Sequence, residues 1–157
     1  MKMRASEVGR GRLLGLLLLA AAMPACSDDP TGPQGPEDVE FAAVLGIDLD
    51  AMTRLPSGVY VQTTREGEDP AVTASSTIRA NYDLWLPDAT VIASGALDEP
   101  VAEFIEGFQL GIIGMKTDEI RWIVIPSELA YGARGNPNAG IPPHAVIVFQ
   151  VEMLEVS

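Results

Sequence analysis

The chain has 157 residues, of which 22 are acidic and 10 basic, and its formal net charge is −12. This excess of carboxylates argues against nucleic-acid binding, because nucleic-acid partners need basic residues that neutralise phosphates. One histidine and one cysteine cannot supply a zinc site, and no Asp-rich calcium loop is present, so we expect no metal and no cofactor. The length fits a single domain with short appendages.

The first 25 residues have the pattern of a secretory signal peptide. A basic stretch containing Arg10 and Arg12 precedes an apolar run over residues 13–22. That run is too short for a spanning helix, which needs about 20 apolar residues. We therefore expect the protein to be exported.

Cys26, the only cysteine, follows Pro24 and Ala25. This arrangement resembles the bacterial lipobox, in which the cysteine is lipidated and becomes the mature N-terminus. The alternative is ordinary secretory cleavage near Ala25 with an incidental thiol. A lone cysteine in an exported chain has no partner for an internal disulfide, which favours lipidation. The prediction is a bacterial lipoprotein, anchored to a membrane through Cys26 alone and facing the periplasm or the cell exterior.

Residues 26–40 are rich in proline, glycine and acids, and this composition predicts a disordered, flexible tether. Residues 41–57 have mixed periodicity and form an N-terminal extension, either a short helix or a strand that packs against the domain. The folded domain is predicted over residues 58–157.

The hydrophobic pattern of residues 58–157 predicts an α+β domain. Alternating or β-rich runs predict strands over residues 58–64, 76–86, 90–94, 120–125 and 147–153. Between the third and fourth of these strands, residues 103–115 place apolar side chains at helical spacing, and Gly114 is typical of a helix end. Gly107 and Gly111 each lower the intrinsic stability of this helix by about 1 kcal/mol relative to alanine, so tertiary packing must stabilise it.

Two runs near the C-terminus, IPSELAYGARG over residues 125–135 and IPPHAVIVFQVEML over residues 141–154, resemble the signature of the FKBP-type peptidyl-prolyl cis-trans isomerases. The likeness extends more loosely back to about Gly58. It implies a curved antiparallel β-sheet wrapped around one short α-helix. It also implies a monomeric enzyme that isomerises X-Pro bonds in Pro-containing polypeptide chains.

The resemblance assigns roles to an aromatic and aliphatic set that would otherwise be interpreted as core. Phe108 matches the floor of an apolar pocket for the prolyl ring, with phenylalanine in place of the more familiar tryptophan. The backbone N–H of Ile105 matches the donor to a substrate carbonyl, and the hydroxyl of Tyr131 matches a second donor to the substrate. The matching pocket walls are Tyr82, Ile92, Phe104, Ile141 and Phe149.

Departures from the family pattern leave two functions open for the pocket, and a structural envelope lipoprotein with a degenerate fold is a third alternative. Ala93 stands where the family usually has an aspartate, and residues 94–101 form a shorter segment that lacks the usual flap. The first function is an isomerase that assists the folding of exported proteins. The second is a non-catalytic or weakly active proline-binding chaperone or adaptor. His144 is expected to be a structural hydrogen-bonding residue, since no nucleophile and base form a recognisable motif.

Overall fold

The computed structural model describes residues 32–157, so the predicted signal peptide and Cys26 lie outside the described residues. Nine strands and helices follow in chain order: β1 (Thr53–Arg54), β2 (Tyr60–Arg65), β3 (Glu68–Ala71), β4 (Thr77–Trp85), β5 (Val91–Pro100), α1 (Glu106–Ile112), β6 (Lys116–Thr117), β7 (Ile120–Ile125) and β8 (Ile147–Val156). Six strands form one antiparallel sheet in the order β1-β2-β7-β8-β4-β5, while β3 pairs with β6. The predicted α+β fold, an antiparallel sheet packed on one short helix, is confirmed.

Strand β4 alternates as the sequence predicts. Ile78, Ala80 and Leu84 are buried, whereas Arg79 and Asn81 are exposed. The buried side faces a core that β4 shares with β7, β8 and α1. Its two neighbours in the sheet are β5 and β8.

Strand β5 is longer than predicted. The sequence indicated a short strand over residues 90–94, but Val91–Pro100 pairs with β4 from Trp85 back to Thr77. The small and acidic residues after Ser94 have no apolar alternation, so their extended conformation comes from pairing with β4 rather than from local propensity. The shortened segment after Ala93 is therefore a continuous edge strand.

Helix α1 occupies Glu106–Ile112, a shorter span than the periodic run over residues 103–115. It begins late because Phe104 and Ile105 adopt extended backbone conformations. It ends before Gly114, whose φ of 80° lies in the left-handed region.

Two glycines let α1 lie close to the sheet. A Cβ atom at Gly107 would collide with the Ile125 side chain, and one at Gly111 would collide with Ile123. Their cost in helix propensity is offset by this close packing, in which Phe108 and Ile112 are buried.

The predicted disordered tether is wrong from Gln34 onward. The Gln34 N–H donates to Ser127 Oγ at 2.9 Å, and the Ser127 N–H donates to the Gln34 carbonyl at 3.0 Å. Glu37 accepts from the Tyr60 hydroxyl at 2.6 Å, and Pro36 is buried. Composition missed this order because the apolar surface that holds the segment belongs to the domain.

The N-terminal extension is neither a helix nor a long strand. It contains short 3-10 turns at Ala43–Leu45 and Leu49–Ala51, followed by β1, which pairs with β2. Because β1 belongs to the main sheet, the domain begins before the predicted boundary at Gly58. Within residues 32–157, no helix is long and apolar enough to cross a membrane.

The extension covers a second apolar cluster on the sheet. We call this the outer cluster; its buried members are Met52, Tyr60, Val124, Val146 and Val148. Half-buried side chains pack against it, namely Phe41, Ile47 and Leu49 of the extension and Val39, which precedes the extension. Trp85 and Trp122 stack beside it with ring centroids 5.3 Å apart. The sheet therefore has apolar packing on both faces.

Candidate functional site

A cavity of about 290 Å³ opens where α1 begins, between the helix, strands β4, β5 and β8, and the long loop before β8. Every site residue that the sequence singled out in the domain contributes to its lining: Tyr82, Ile92, Phe104, Ile105, Phe108, Tyr131, Ile141 and Phe149. The structure thus brings together residues that are up to 67 positions apart in the chain.

The floor of the cavity is aromatic. Phe108 is only 2% exposed and meets Phe149 edge to face, with ring centroids 4.8 Å apart. Phe104 lies 5.0 Å from Phe108, and Tyr82 lies 6.2 Å from Phe149. Aromatic contacts of this kind stabilise by about 0.5–1.5 kcal/mol each beyond area burial, so the floor is a rigid apolar surface.

The start of α1 places one backbone donor beside this floor. Ile105 is the N-cap, and its carbonyl accepts the N–H groups of Phe108 and Gln109 at 3.0 and 3.1 Å. The Ile105 N–H donates to no other backbone group of residues 32–157. An N–H at a helix start has no partner within its own helix, so it remains available to a ligand.

The loop that carries Tyr131 and Ile141 has defined hydrogen bonds. The Gly135 N–H donates to the Tyr131 carbonyl at 3.1 Å, and Asn136 and Ile141 exchange two backbone hydrogen bonds of 2.8 and 2.9 Å. Gly132 has a φ of 54°, which turns the chain directly after Tyr131. Tyr131 and Ile141 lie in different parts of the loop, and these hydrogen bonds fix the loop so that both residues line the same cavity.

The β5 wall carries small and aliphatic side chains. Ala93 lies opposite Leu84, and Leu97 lies opposite Ala80. No charged residue of β5 lines the cavity in the part of the chain that the structure describes. The wall is therefore apolar.

Sequence reasoning missed four other lining residues, namely Leu84, Leu97, Glu103 and Ala139. Leu84 is buried in β4, a strand that the sequence predicted without assigning any role to this residue. Glu103 directly precedes two predicted site residues, Phe104 and Ile105, and this position could have identified it as a lining residue. Leu97 had no signal, because the full length of β5 was not predictable from its residues.

His144 does not line the cavity. Its φ is 58° and its backbone N–H donates to the Gly132 carbonyl at 2.8 Å, so it stabilises the turn beneath the Tyr131 loop. Its Nδ1 atom is buried and accepts or donates no hydrogen bond within residues 32–157. The backbone of His144, rather than its ring nitrogen, makes the structural hydrogen bond.

Acid–base groups with shifted pKa values lie away from the cavity. The Tyr60 hydroxyl lowers the pKa of Glu37 by donating to it, and the Thr90 backbone N–H lowers the pKa of Asp88. A hydrogen bond from Arg65 lowers the pKa of Glu152. Among the described residues, no three His, Cys, Asp or Glu side chains gather as metal ligands. The cavity is built to bind apolar groups beside backbone and hydroxyl donors.

Known proteins resemble this chain over the same region. The family of FKBP-type peptidyl-prolyl cis-trans isomerases matches residues 68–154, which is more than half of the chain. The FK506-binding protein of Neisseria meningitidis serogroup B is 36% identical over 107 residues, covering 63% of this chain and 96% of that relative. FK506-binding protein 4 of Emericella nidulans is 33% identical over 105 residues, covering 63% of this chain, but this chain spans only 22% of its length.

A solved structure gives the same result. FkpA from Escherichia coli superposes with a TM-score of 0.65 and 29% identity, covering 73% of this chain and 55% of that one. The matched region contains the cavity, its aromatic floor and the Tyr131 loop. The chain belongs to the family of FKBP-type peptidyl-prolyl cis-trans isomerases.

Proposed function

We propose that this protein is a peptidyl-prolyl cis-trans isomerase that assists the folding of exported proteins. The observation that carries the proposal is the cavity at the start of α1, where an aromatic floor lies beside the Ile105 N–H and the Tyr131 side chain. Its substrates are Pro-containing polypeptide chains.

The reaction needs no covalent chemistry. Rotation about an X-Pro bond breaks amide resonance, with a barrier of about 18–20 kcal/mol, and takes tens to hundreds of seconds without a catalyst. A site that binds the twisted amide more tightly than the planar one speeds this rotation, and about 1.36 kcal/mol of such preference gives a tenfold acceleration.

Each part of the cavity has a role in that preference. The prolyl ring packs on Phe108, the Ile105 N–H donates to a substrate carbonyl, and the Tyr131 hydroxyl donates a second hydrogen bond. The apolar walls exclude water, which favours the twisted amide because it is less polar than the planar form. None of these contacts requires a side chain to take up or release a proton.

Cis/trans exchange measured by NMR in short X-Pro peptides tests the proposal. We expect a catalysed rate that is nearly flat from about pH 6 to 8, unlike the bell-shaped profile of an acid–base enzyme. Tyr131→Phe should lower kcat/KM by about fivefold, the equivalent of about 1 kcal/mol for one hydrogen bond. A steep pH dependence near the ordinary histidine pKa would place the chemistry elsewhere.

The second candidate is a proline-binding chaperone or adaptor with little or no catalysis. Ala93, in place of the family's usual aspartate, is the observation that favours it. This candidate predicts that Pro-containing peptides perturb the NMR signals of Phe108 and Tyr131 without faster exchange.

The proposed location follows from the N-terminal sequence. The chain is exported, acylated at Cys26 and held at a membrane facing the periplasm or cell exterior, and it acts as a monomer. Intact mass of the protein purified from its host should show the added lipid, and Cys26→Ala should release the protein from membranes. A wild-type mass without lipid would contradict the anchor.

A further inference from the structure

Glu103 is the one formally charged residue among those that line the cavity. It ends the 3-10 turn Val101–Glu103 and stands directly before Phe104. The Ile105 N–H, the proposed donor to the substrate, lies two residues further along the chain.

The backbone around Glu103 is fixed. The Val101 N–H donates to the Ser76 carbonyl at 3.0 Å. The Gln109 side chain donates to the Phe104 carbonyl at 2.6 Å and to the Ala102 carbonyl at 3.4 Å. These bonds tie the residues on both sides of Glu103 to the sheet and the helix. Glu103 itself is exposed and contributes to the lining of the cavity.

No cation of the described residues neutralises this carboxylate. Residues 32–157 contain six basic side chains. Five of them pair with other acids: Arg54 with Glu37, Arg65 with Glu152, Arg79 with Glu155, Lys116 with Asp69, and Arg121 with Glu119. The sixth, Arg134, does not line the cavity and makes no ion pair with Glu103. The negative charge of Glu103 is thus free to meet a substrate.

We propose that Glu103 is a specificity-determining residue that favours substrates with Lys or Arg directly before or after the prolyl residue. The inference rests on the proposed isomerase function. A prolyl ring on Phe108 and a carbonyl at the Ile105 N–H bring the residue next to proline to the cavity mouth. A basic side chain there gains an ion pair, whereas an acidic one meets a like charge.

The preference is a local one. An exposed ion pair stabilises a complex only modestly, which corresponds to about a twofold to fivefold change in kcat/KM. Screening at high salt weakens it, because the Debye length falls to about 3 Å at 1 M ionic strength. The net negative charge of the whole chain also attracts basic peptides, so the test must separate this general attraction from the effect of Glu103.

The experiment measures kcat/KM for prolyl exchange in matched peptides with Lys, Gln or Glu on either side of proline. For the wild-type protein at low salt, we expect kcat/KM for the Lys peptide to exceed that for the Glu peptide by about fourfold or more, either before or after proline. Glu103→Gln keeps the shape of the side chain and should lower this ratio to the small preference that the general attraction alone produces. Glu66→Gln is the matched control, because Glu66 is exposed, lies outside the cavity and changes the net charge equally. It should leave the ratio near the wild-type value.

Two results overturn the inference. One is prolyl exchange that is catalysed without any preference between Lys and Glu peptides. The other is a preference that both variants reduce equally, since that identifies net charge rather than Glu103 as its cause. Absence of catalysis with every peptide is a separate outcome, which refutes the proposed isomerase function and the inference with it.

Discussion

Phe108 belongs both to the core and to the candidate site. It is 2% exposed and contacts Phe104 and Phe149, which also line the cavity. A loss of activity on mutation could therefore arise from a missing floor or from a weakened fold, and the two causes need separate variants.

Phe108→Ala should remove most of the isomerase activity and lower the free energy of unfolding by about 3–5 kcal/mol. Ile112→Ala is the matched control, because Ile112 lies one turn further along α1, is fully buried and does not line the cavity. It should lower stability by about 2–5 kcal/mol and keep most of the activity. Prolyl exchange, measured under conditions where all the proteins are folded, checks the effect on activity. Urea unfolding checks the effect on stability. Equal turnover in the two variants would mean that Phe108 is not the floor.

The sequence predicted those site residues that belong to a motif, because a motif fixes both the neighbouring residue types and the number of residues between them. Tyr131 and Ile141 lie in the two C-terminal runs, and the resemblance to the family assigns Phe108 to the floor of the pocket. Leu97 and Ala139 escaped prediction because they reach the cavity through tertiary contacts, the first by the pairing of β5 with β4 and the second by the fold of the loop. Nothing in their own sequence neighbourhood signals such contacts.

At the scale of elements, helix α1 depends on glycines that would weaken it in isolation. Gly111→Ala raises helix propensity by about 1 kcal/mol, but its methyl group collides with the Ile123 side chain. Overpacking of a tight core costs about 1–3 kcal/mol, and we expect it to outweigh the gain in propensity. Thermal unfolding should therefore show a net loss of stability.

The double variant Gly111→Ala with Ile123→Ala isolates the cause. Ile123→Ala removes the side-chain atoms that the new methyl group would meet, so the two losses should sum to more than the loss in the double variant. Simple additivity, or a Gly111→Ala protein more stable than wild type, would show that close packing is not the reason for glycine here.

Periodicity succeeded for β4 and α1 because each buries one face more deeply than the other. Strands β7 and β8 were identified by their β-rich apolar runs, although residues on both of their faces are buried, as with Ile123 and Val124. It failed for the N-terminal extension, whose 3-10 turns are too short to have a period. Those turns are held by contacts with a sheet face far away in sequence, and local patterns do not encode such contacts.

At the scale of the whole molecule, the sheet has two apolar faces that need cover. Helix α1 covers one face, and the extension covers the outer cluster on the other. A chain that begins at Gly58 keeps every residue of the cavity but loses β1, Met52 and the half-buried apolar residues of the extension. The sheet therefore includes residues that lie N-terminal to the family match at residues 68–154.

We expect a chain of residues 58–157 to be less stable than a chain of residues 32–157 by more than about 3 kcal/mol, the equivalent of one or two large apolar side chains. Trp85 and Trp122 are the only tryptophans and both flank the outer cluster, so loss of its cover should shift the fluorescence emission of the folded protein to the red. Met52→Ala in the longer chain is the matched control, because it removes one buried side chain of the extension and leaves the backbone in place. It should show a smaller loss of stability and little change in emission. Equal stability and equal emission of the two chains would mean that the extension lies on the sheet without stabilising it.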